Sequence, residues 1–289
     1  MAITVDQLTS LDDLLACEEL QRRLLGHHAR SILAVPTLAA IRRSGGLLLG
    51  AWEREGGRPS LRGALVDLVA EADEFPARFT ALLCVDPALA NRGIAQLLRA
   101  SERSACVKAH ADVVFWWSDP LGSAASHVAF NKLGAIGTAH RRNALGPLDD
   151  RPNRGLATDR LRVEWWISSP RVRAILDCGR LPPHYGLGLD RMQVITKTTG
   201  RPSGSRNLTG IDETASKPFV LVEVPVDLER LRKQDPSAAR DWRLMTRDVF
   251  ELLFASGYTI VGFVHEGGRS FHLFEREDRG TVLGRSQEV

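Results

Sequence analysis

The sequence predicts an α/β fold, and three observations carry that prediction. Strand-like apolar runs at 47–52, 62–70, 79–85 and 112–118 are interleaved with helical stripes at 11–24, 36–44, 94–109 and 123–133. A short turn with Pro87 and Gly93 joins the third run to the helix after it. The fourth, Asp112-Val113-Val114-Phe115-Trp116-Trp117-Ser118, is continuously apolar, as expected of a strand buried on both faces. At 289 residues, the chain is long enough for one large domain or two modest ones.

Taken in order, Ile3 to Val5 reads as a short strand, and Ser10-Leu11-Asp12-Asp13 as a helix start with acids in its first turn. Leu11, Leu14, Leu15, Cys17, Leu20 and Leu24 form the stripe of that helix, which ends at Gly26. A second helix opens at Pro36, a favoured first position. Two strands follow, joined by a hairpin-like turn at 54–59. After the central strand, turn, helix and strand, Asp119-Pro120 leads to a helix from Ser123 to Leu133, closed by Gly134 as a left-handed cap.

Farther on, Leu161 to Ile167 reads as a strand, and residues 198–217, rich in Gly, Ser, Thr and Arg, as an exposed linker or long loop. Phe219 to Val224 is a strand halted by Pro225. Asp227 to Ser256 is helical with a break at Asp235-Pro236. Trp242, Met245, Val249 and Leu252 mark one face of it, and Arg240, Arg243 and Arg247 another. Tyr258 to Val264 and Ser270 to Phe274 make a hairpin around Glu266-Gly267-Gly268.

The central turn is the most telling stretch. Pro87 has no N–H to give, so the strand ladder stops there, and Gly93 permits a close approach or an unusual dihedral. A helix that begins at such a turn aims unpaired N–H groups and a positive dipole end at one point, which suits a diphosphate. The order strand, V-x-P-x-x-x-x-R-G-I-A, helix resembles the acyl-CoA-binding motif of the GNAT acyltransferase superfamily, usually written Q/R-x-x-G-x-G/A. Gly93 and Ala95 fill its last two places, and Ala90 departs from its first. The ending Phe130-Asn131-Lys132-Leu133-Gly134 resembles a second signature of the same family, with Phe130 where many members carry a proton-donating tyrosine.

The resemblance covers about residues 1–140 and implies a mixed, mostly antiparallel sheet with splayed central strands, flanked by helices. Gly155-Leu156-x-Thr158-Asp159-Arg160-Leu161-x-Val163-Glu164-Trp165-Trp166 is similar to a GNAT subfamily with a carboxy-terminal extension, some members of which are encoded beside enolase-superfamily racemases and transfer succinyl to amino acids. The domain expectation is an acyltransferase domain over 1–170, a linker or long loop over 171–217, and an extension over 218–289 that completes or extends the sheet.

The resemblance implies that the turn and strand hold the cofactor through Leu83, Cys84, Val85, Asn91, Arg92, Gly93, Ile94, Ala95 and Gln96, with Phe130 and Lys132 contributing from the second signature. It implies acetyl-CoA or succinyl-CoA as donor and a small amine as acceptor, and the extension is expected to shape the acceptor site or a homodimer contact. Backbone donors that need no reorganisation are a strong source of rate. The general base is expected at His127 or Asp119, near the mouth of the implied cleft; relay through water needs neither. Glu164, between hydrophobic neighbours, either has a raised pKa through burial or faces solvent. A succinyl carboxylate would call for Arg141, Arg142 or Arg243. The rival expectation is a GNAT-fold protein that binds acyl-CoA or a protein partner without catalysis.

Net charge is only +3 and evenly spread, which argues against a nucleic-acid partner; Arg141-Arg142 is the nearest approach to a basic cluster. Cys17, Cys84, Cys106 and Cys178 lie far apart, which predicts free thiols and, with no leader-like or membrane-length apolar run, a cytoplasmic setting. His27-His28 and His184 have no metal-ligand spacing, so no metal is expected.

Overall fold

The computed structural model describes residues 3–27, 30–54, 59–90, 92–180, 192–200, 206–212, 214 and 217–284. The chain divides into two compact units, residues 1–116 with 148–154, and residues 117–147 with 155–289.

The first unit holds β1 (Ile3–Gln7), α1 (Leu11–Leu25), α2 (Val35–Arg43), β2 (Leu47–Glu53), β3 (Ser60–Ala72), β4 (Phe75–Val85), a 3-10 turn (Pro87–Leu89), α3 (Ile94–Lys108) and β5 (Val113–Ser118) up to Trp116. The strands pair in the order β1-β2-β3-β4-β5, antiparallel throughout except for the parallel β4/β5 pair. This is the mixed, mostly antiparallel sheet that the resemblance implied. Helix α1 starts with a capping box, in which Ser10 and Asp13 each accept the other's backbone N–H.

The helices cover opposite faces of the sheet. Leu14, Cys17 and Leu20 of α1 and Leu38 and Ile41 of α2 pack with Ala64 and Val66. Ile94 and Leu98 of α3 pack with Leu49, Ala51 and Leu65. Strand alternation in β3 separates the two sets. The stripe expected on α1 is corrected: Leu11 and Leu15 are 63% and 50% exposed, while Gln21 is buried because its amide bonds to Leu33 in both directions. Strand β5 is fully buried only at Val113 and Val114, and Phe115 to Ser118 are half-buried.

The second unit holds α4 (Ser123–Ser126) running into a π-helical turn (His127–Lys132), β6 (Ile136–Arg141), β7 (Arg160–Trp166), α5 (Pro170–Leu176), β8 (Gln193–Val194), β9 (Thr196–Gly200), β10 (Arg206–Ile211), β11 (Phe219–Val224), α6 (Leu228–Gln234), α7 (Pro236–Ala255), β12 (Thr259–Glu266), β13 (Arg269–Glu275) and α8 (Arg279–Leu283). Its strands pair in the order β7-β6-β12-β13-β11-β8. Gly134 closes the helical segment at φ +72°. The expected helix break is present: Asp235 ends α6 and caps α7, its side chain accepting the N–H of Ala238 at 2.9 Å.

Alternation along β13 divides this core. His272 and Phe274 face the Phe250 ring of α7, while Phe271 and Leu273 pack with Met192, Leu221 and Val261. Two expectations are corrected. Within 198–217 the described residues include strand, because β9 and β10 pair as an antiparallel ribbon and Thr198 hydrogen-bonds Glu223 at 2.7 Å. Arg243 lies on the buried face of α7 at 2% exposure and Leu252 on the exposed face, since a carboxylate meets that arginine inside. Among the described residues no helix is long and apolar enough to cross a membrane.

Candidate functional site

The site begins with a fork in the first unit. Strand β4 pairs with β5 only at Ala77, Arg78 and Phe79, opposite Val113, Val114 and Phe115, and the Phe79 and Phe115 rings meet at 5.3 Å at the last rung. From Thr80 to Val85, β4 continues against β3 alone. The N–H of Asp86 bonds to Arg62 at 2.7 Å, so by strand alternation Cys84 and Leu82 also aim their amides at β3. Leu83 and Val85 therefore turn theirs to the side that β5 has left.

The turn after β4 is self-supporting. Asp86 accepts the N–H of Ala88 at 3.0 Å and pairs with Arg62 at 3.0 Å. Gly93 then adopts φ +75°, which an L side chain rarely tolerates, and this swings the chain into α3. The first helical bond runs from Leu97 to Gly93 at 3.0 Å, so the N–H groups of Ile94, Ala95 and Gln96 have no helical acceptor. No side chain among the described residues caps this end. Leu83, Val85 and Leu89 pack against the cluster that holds Ile94 and Leu98, which places the start of α3 on the same face of the sheet as the edge of β4 that β5 has left. Gly63 permits that approach, because a Cβ there would lie 3.1 Å from Ile94 and 3.2 Å from Leu98. Arg92 and Gln96 are exposed at the turn, and Asn91 lies outside the described residues.

Two sets of main-chain donors thus stand together, one along an opened strand and one at a helix tip with a positive dipole. Such an arrangement can hold an anion at the helix and an extended, amide-bearing chain along the strand.

The remaining sequence candidates lie in the second unit. Asp119 accepts the N–H of Leu121 at 2.8 Å and is paired with Arg243 at 2.6 Å, so this carboxylate is already engaged. His127 is half-buried. Asn131 bonds the backbone of Phe263 with both ends of its amide, which fixes the amide's orientation and turns its NH2 toward Nδ1 of His127 at 3.2 Å. In that tautomer Nε2 carries the proton, so the ring presents a donor. Burial, then Lys132 and His265, hold its pKa below the usual value. The expectation that Phe130 packs on a ligand is corrected: the side chain is fully enclosed, its ring edge-on to His272 at 5.8 Å. Lys132 is exposed. Burial pushes the His272 imidazole down to about 4, and its Nε2 donates to the Pro120 carbonyl at 2.7 Å.

Glu164 is buried, accepting from Thr138 and Trp166 and pairing with Arg162 at 3.0 Å. Of the three arginines considered for an acyl carboxylate, Arg142 pairs with Asp248 and Glu251, Arg243 with Asp119, and Arg141 sits over the Trp117 ring at 5.4 Å. No group of three or more His, Cys, Asp or Glu side chains among the described residues is placed to hold a metal ion; His28 and His184 lie outside them.

No protein-family model matches the chain, and no curated protein matches it in sequence. Solved structures do. The ribosomal-protein-S18-alanine N-acetyltransferase from Escherichia coli is similar at 18% identity over 58% of this chain and 95% of that one, with a TM-score of 0.45. The NatC complex bound to Gag peptide and CoA is similar at 15% identity over 57% and 98%, with a TM-score of 0.45. An acetyltransferase of the GNAT family from Staphylococcus aureus Mu50 is similar at 15% identity over 58% and 100%, with a TM-score of 0.40.

One polar group beneath the fork was not anticipated from sequence: Asp67, Thr80, Arg99 and Glu102, all buried. Burial, and after it the charge of Glu102, hold the Asp67 carboxyl well above the usual range, against the opposing pull of Arg99 and Thr80. A carboxyl that keeps its proton in the folded state costs stability as pH rises from about 4 through its folded pKa. Asp67→Asn removes that loss. Its melting temperature is expected to match the wild type below about pH 4 and to exceed it increasingly toward neutral pH, which thermal melts across pH will show.

Proposed function

We propose that this chain is an acyl-CoA-dependent N-acyltransferase of GNAT type acting on a small amine. The observation that carries this reading is an α3 tip that no side chain among the described residues caps, on the same face of the sheet as the β4 edge at Leu83 and Val85 that β5 has left, both packed into the cluster of Ile94 and Leu98. The sequence resemblance and the element order of the first unit support it. In this reading the diphosphate of coenzyme A lies against the N–H groups of Gly93 to Gln96, with Arg92 beside it. The pantetheine arm runs along Leu83, Cys84 and Val85, as an added strand would. One of these amides faces the thioester oxygen and stabilises the negative charge that grows as the amine attacks.

Neither proton transfer is assigned to a buried acid. Phe130 has no proton to give, and a thiolate whose parent pKa is about 8.5 can take one from water. Asp119 is engaged with Arg243, and His127 presents Nε2–H, so the amine loses its proton to solvent. His127→Ala is expected to lower kcat less than about tenfold, whereas loss of a general base costs about a hundredfold or more. A hundredfold fall with a lost acidic limb in the pH profile would return the base to His127. The extension over 218–289 is proposed to shape the acceptor site or a dimer contact.

The experiment is incubation with acetyl-CoA or succinyl-CoA and a panel of amino acids and other small amines while free thiol is followed. Acetyl-CoA is the donor expected. Stabilisation by coenzyme A without turnover supports the second reading, a binding protein without catalysis, which the engaged Asp119 and the enclosed Phe130 favour.

A further inference from the structure

The register of β4 against β3 contains one extra residue. Leu83 stands opposite Leu65 and Leu82 opposite Val66, but the next rung pairs Thr80 with Asp67, leaving Ala81 as a bulge. Leu65 and Asp67 belong to the α3 face of the sheet and Val66 to the α1/α2 face. Without the bulge, Thr80 would share the face of Leu82. With it, Thr80 points to α3 and meets Glu102 and Arg99.

There the Thr80 hydroxyl donates to Glu102 at 2.9 Å and accepts from Arg99 at 2.9 Å, and Arg99 reaches Glu102 at 2.7 Å. The Arg99 guanidinium lies 3.9 Å over the ring of Trp116, one residue beyond the last β4/β5 rung at Phe115. Arg99 and Glu102 are 2% and 0% exposed, so this cluster is a closed wedge in the crotch of the fork. A buried ionic group of this kind is a poor source of stability compared with apolar packing, and its best-attested use is to fix register.

We propose that Thr80, Arg99 and Glu102, with Asp67 behind them, lock the Ala81 bulge to α3 and so hold the fork open, fixing the amides of Leu83 and Val85 relative to those at the α3 tip. These four are positioning residues, and the proposal rests on the acyl-CoA reading of that site. Its mechanical part, the lock itself, can be read without any ligand.

The test compares Thr80→Val, which keeps the shape and loses the hydroxyl, with Leu20→Ala, which opens a cavity under α1 on the other face of the sheet. Amide hydrogen exchange is followed over 80–86 and 94–97, and coenzyme A binding by calorimetric titration. Thr80→Val is expected to speed exchange in both segments and to raise the Kd for coenzyme A about tenfold. Leu20→Ala, at an equal or larger drop in melting temperature, is expected to change neither. Exchange unchanged by Thr80→Val, or quickened equally by Leu20→Ala, overturns the lock. Quickened exchange in Thr80→Val alone, in a protein whose wild type binds no coenzyme A, supports the lock and overturns the acyl-CoA reading instead.

Discussion

Replacing Ala95 with proline is expected to weaken coenzyme A binding by about ten- to a hundredfold while moving the melting temperature little. Proline is tolerated in the first turn of a helix, where its missing N–H has no helical acceptor in any case. Ala95 stands in that turn, ahead of the first helical bond at Leu97, so the substitution removes one donor and little else. A hydrogen bond to a charged group contributes about 1.5–3 kcal/mol, which sets the scale of the loss. Ala95→Gly keeps the N–H and is expected to bind within a few-fold of wild type. Equal binding by the proline and glycine variants in a calorimetric titration would falsify the placement of the diphosphate at this helix.

The largest expected loss of stability is at Asp159. This fully buried carboxylate accepts from Nε and Nη2 of Arg247, both at 2.8 Å, and from the N–H of Asn143 at 2.9 Å. Removing one partner of such a pair strands the other and costs about 3–5 kcal/mol; the Arg247 side chain is 17% exposed, so the lower end applies. Asp159→Ala is therefore expected to melt about 6–12 °C below wild type at neutral pH. Burial works to raise the Asp159 pKa, but Arg247 and the Asn143 amide outweigh it and hold the carboxyl below its usual range. Its contribution is present above about pH 4 and is lost as pH falls through the folded value, so the gap between variant and wild type should close in acid. A variant melting within 1–2 °C of wild type at pH 7 contradicts this account.

What the sequence made legible was local. The strand Phe219–Val224 ends at Pro225, the helix breaks at Asp235-Pro236, and Gly93 opens α3, each for a reason contained within a few residues. The helix-tip half of the candidate site follows from the same kind of signal. What was hidden depends on partners far along the chain. A helical wheel sets Arg243 on a different face from Trp242 and Val249, but Asp119, 124 residues away in sequence, draws it inside. Leu11 and Leu15 sit on the stripe of α1 by spacing, yet the sheet beneath accepts Leu14, Cys17 and Leu20 instead. Phe130 matches a motif by position, while the inward turn of its helix sends the ring to His272. The Thr80 cluster left a faint trace, two charges on the buried face of α3 and an aspartate within the apolar run of β3. Its meaning depends on the Ala81 bulge, a matter of register that no single segment encodes.

An anion grip assembled from peptide groups has an unusual genetic property. If coenzyme A is held as proposed, residues 90 and 92 are expected to drift through many identities with little penalty, since main-chain groups would carry the diphosphate. Sensitivity is instead concentrated in changes that bend or mute the polypeptide itself: a β-branched residue at 93, or a proline within the three positions after it. A saturation survey of 88–97 selected for ligand capture should therefore return a broad plateau broken by a few steep drops.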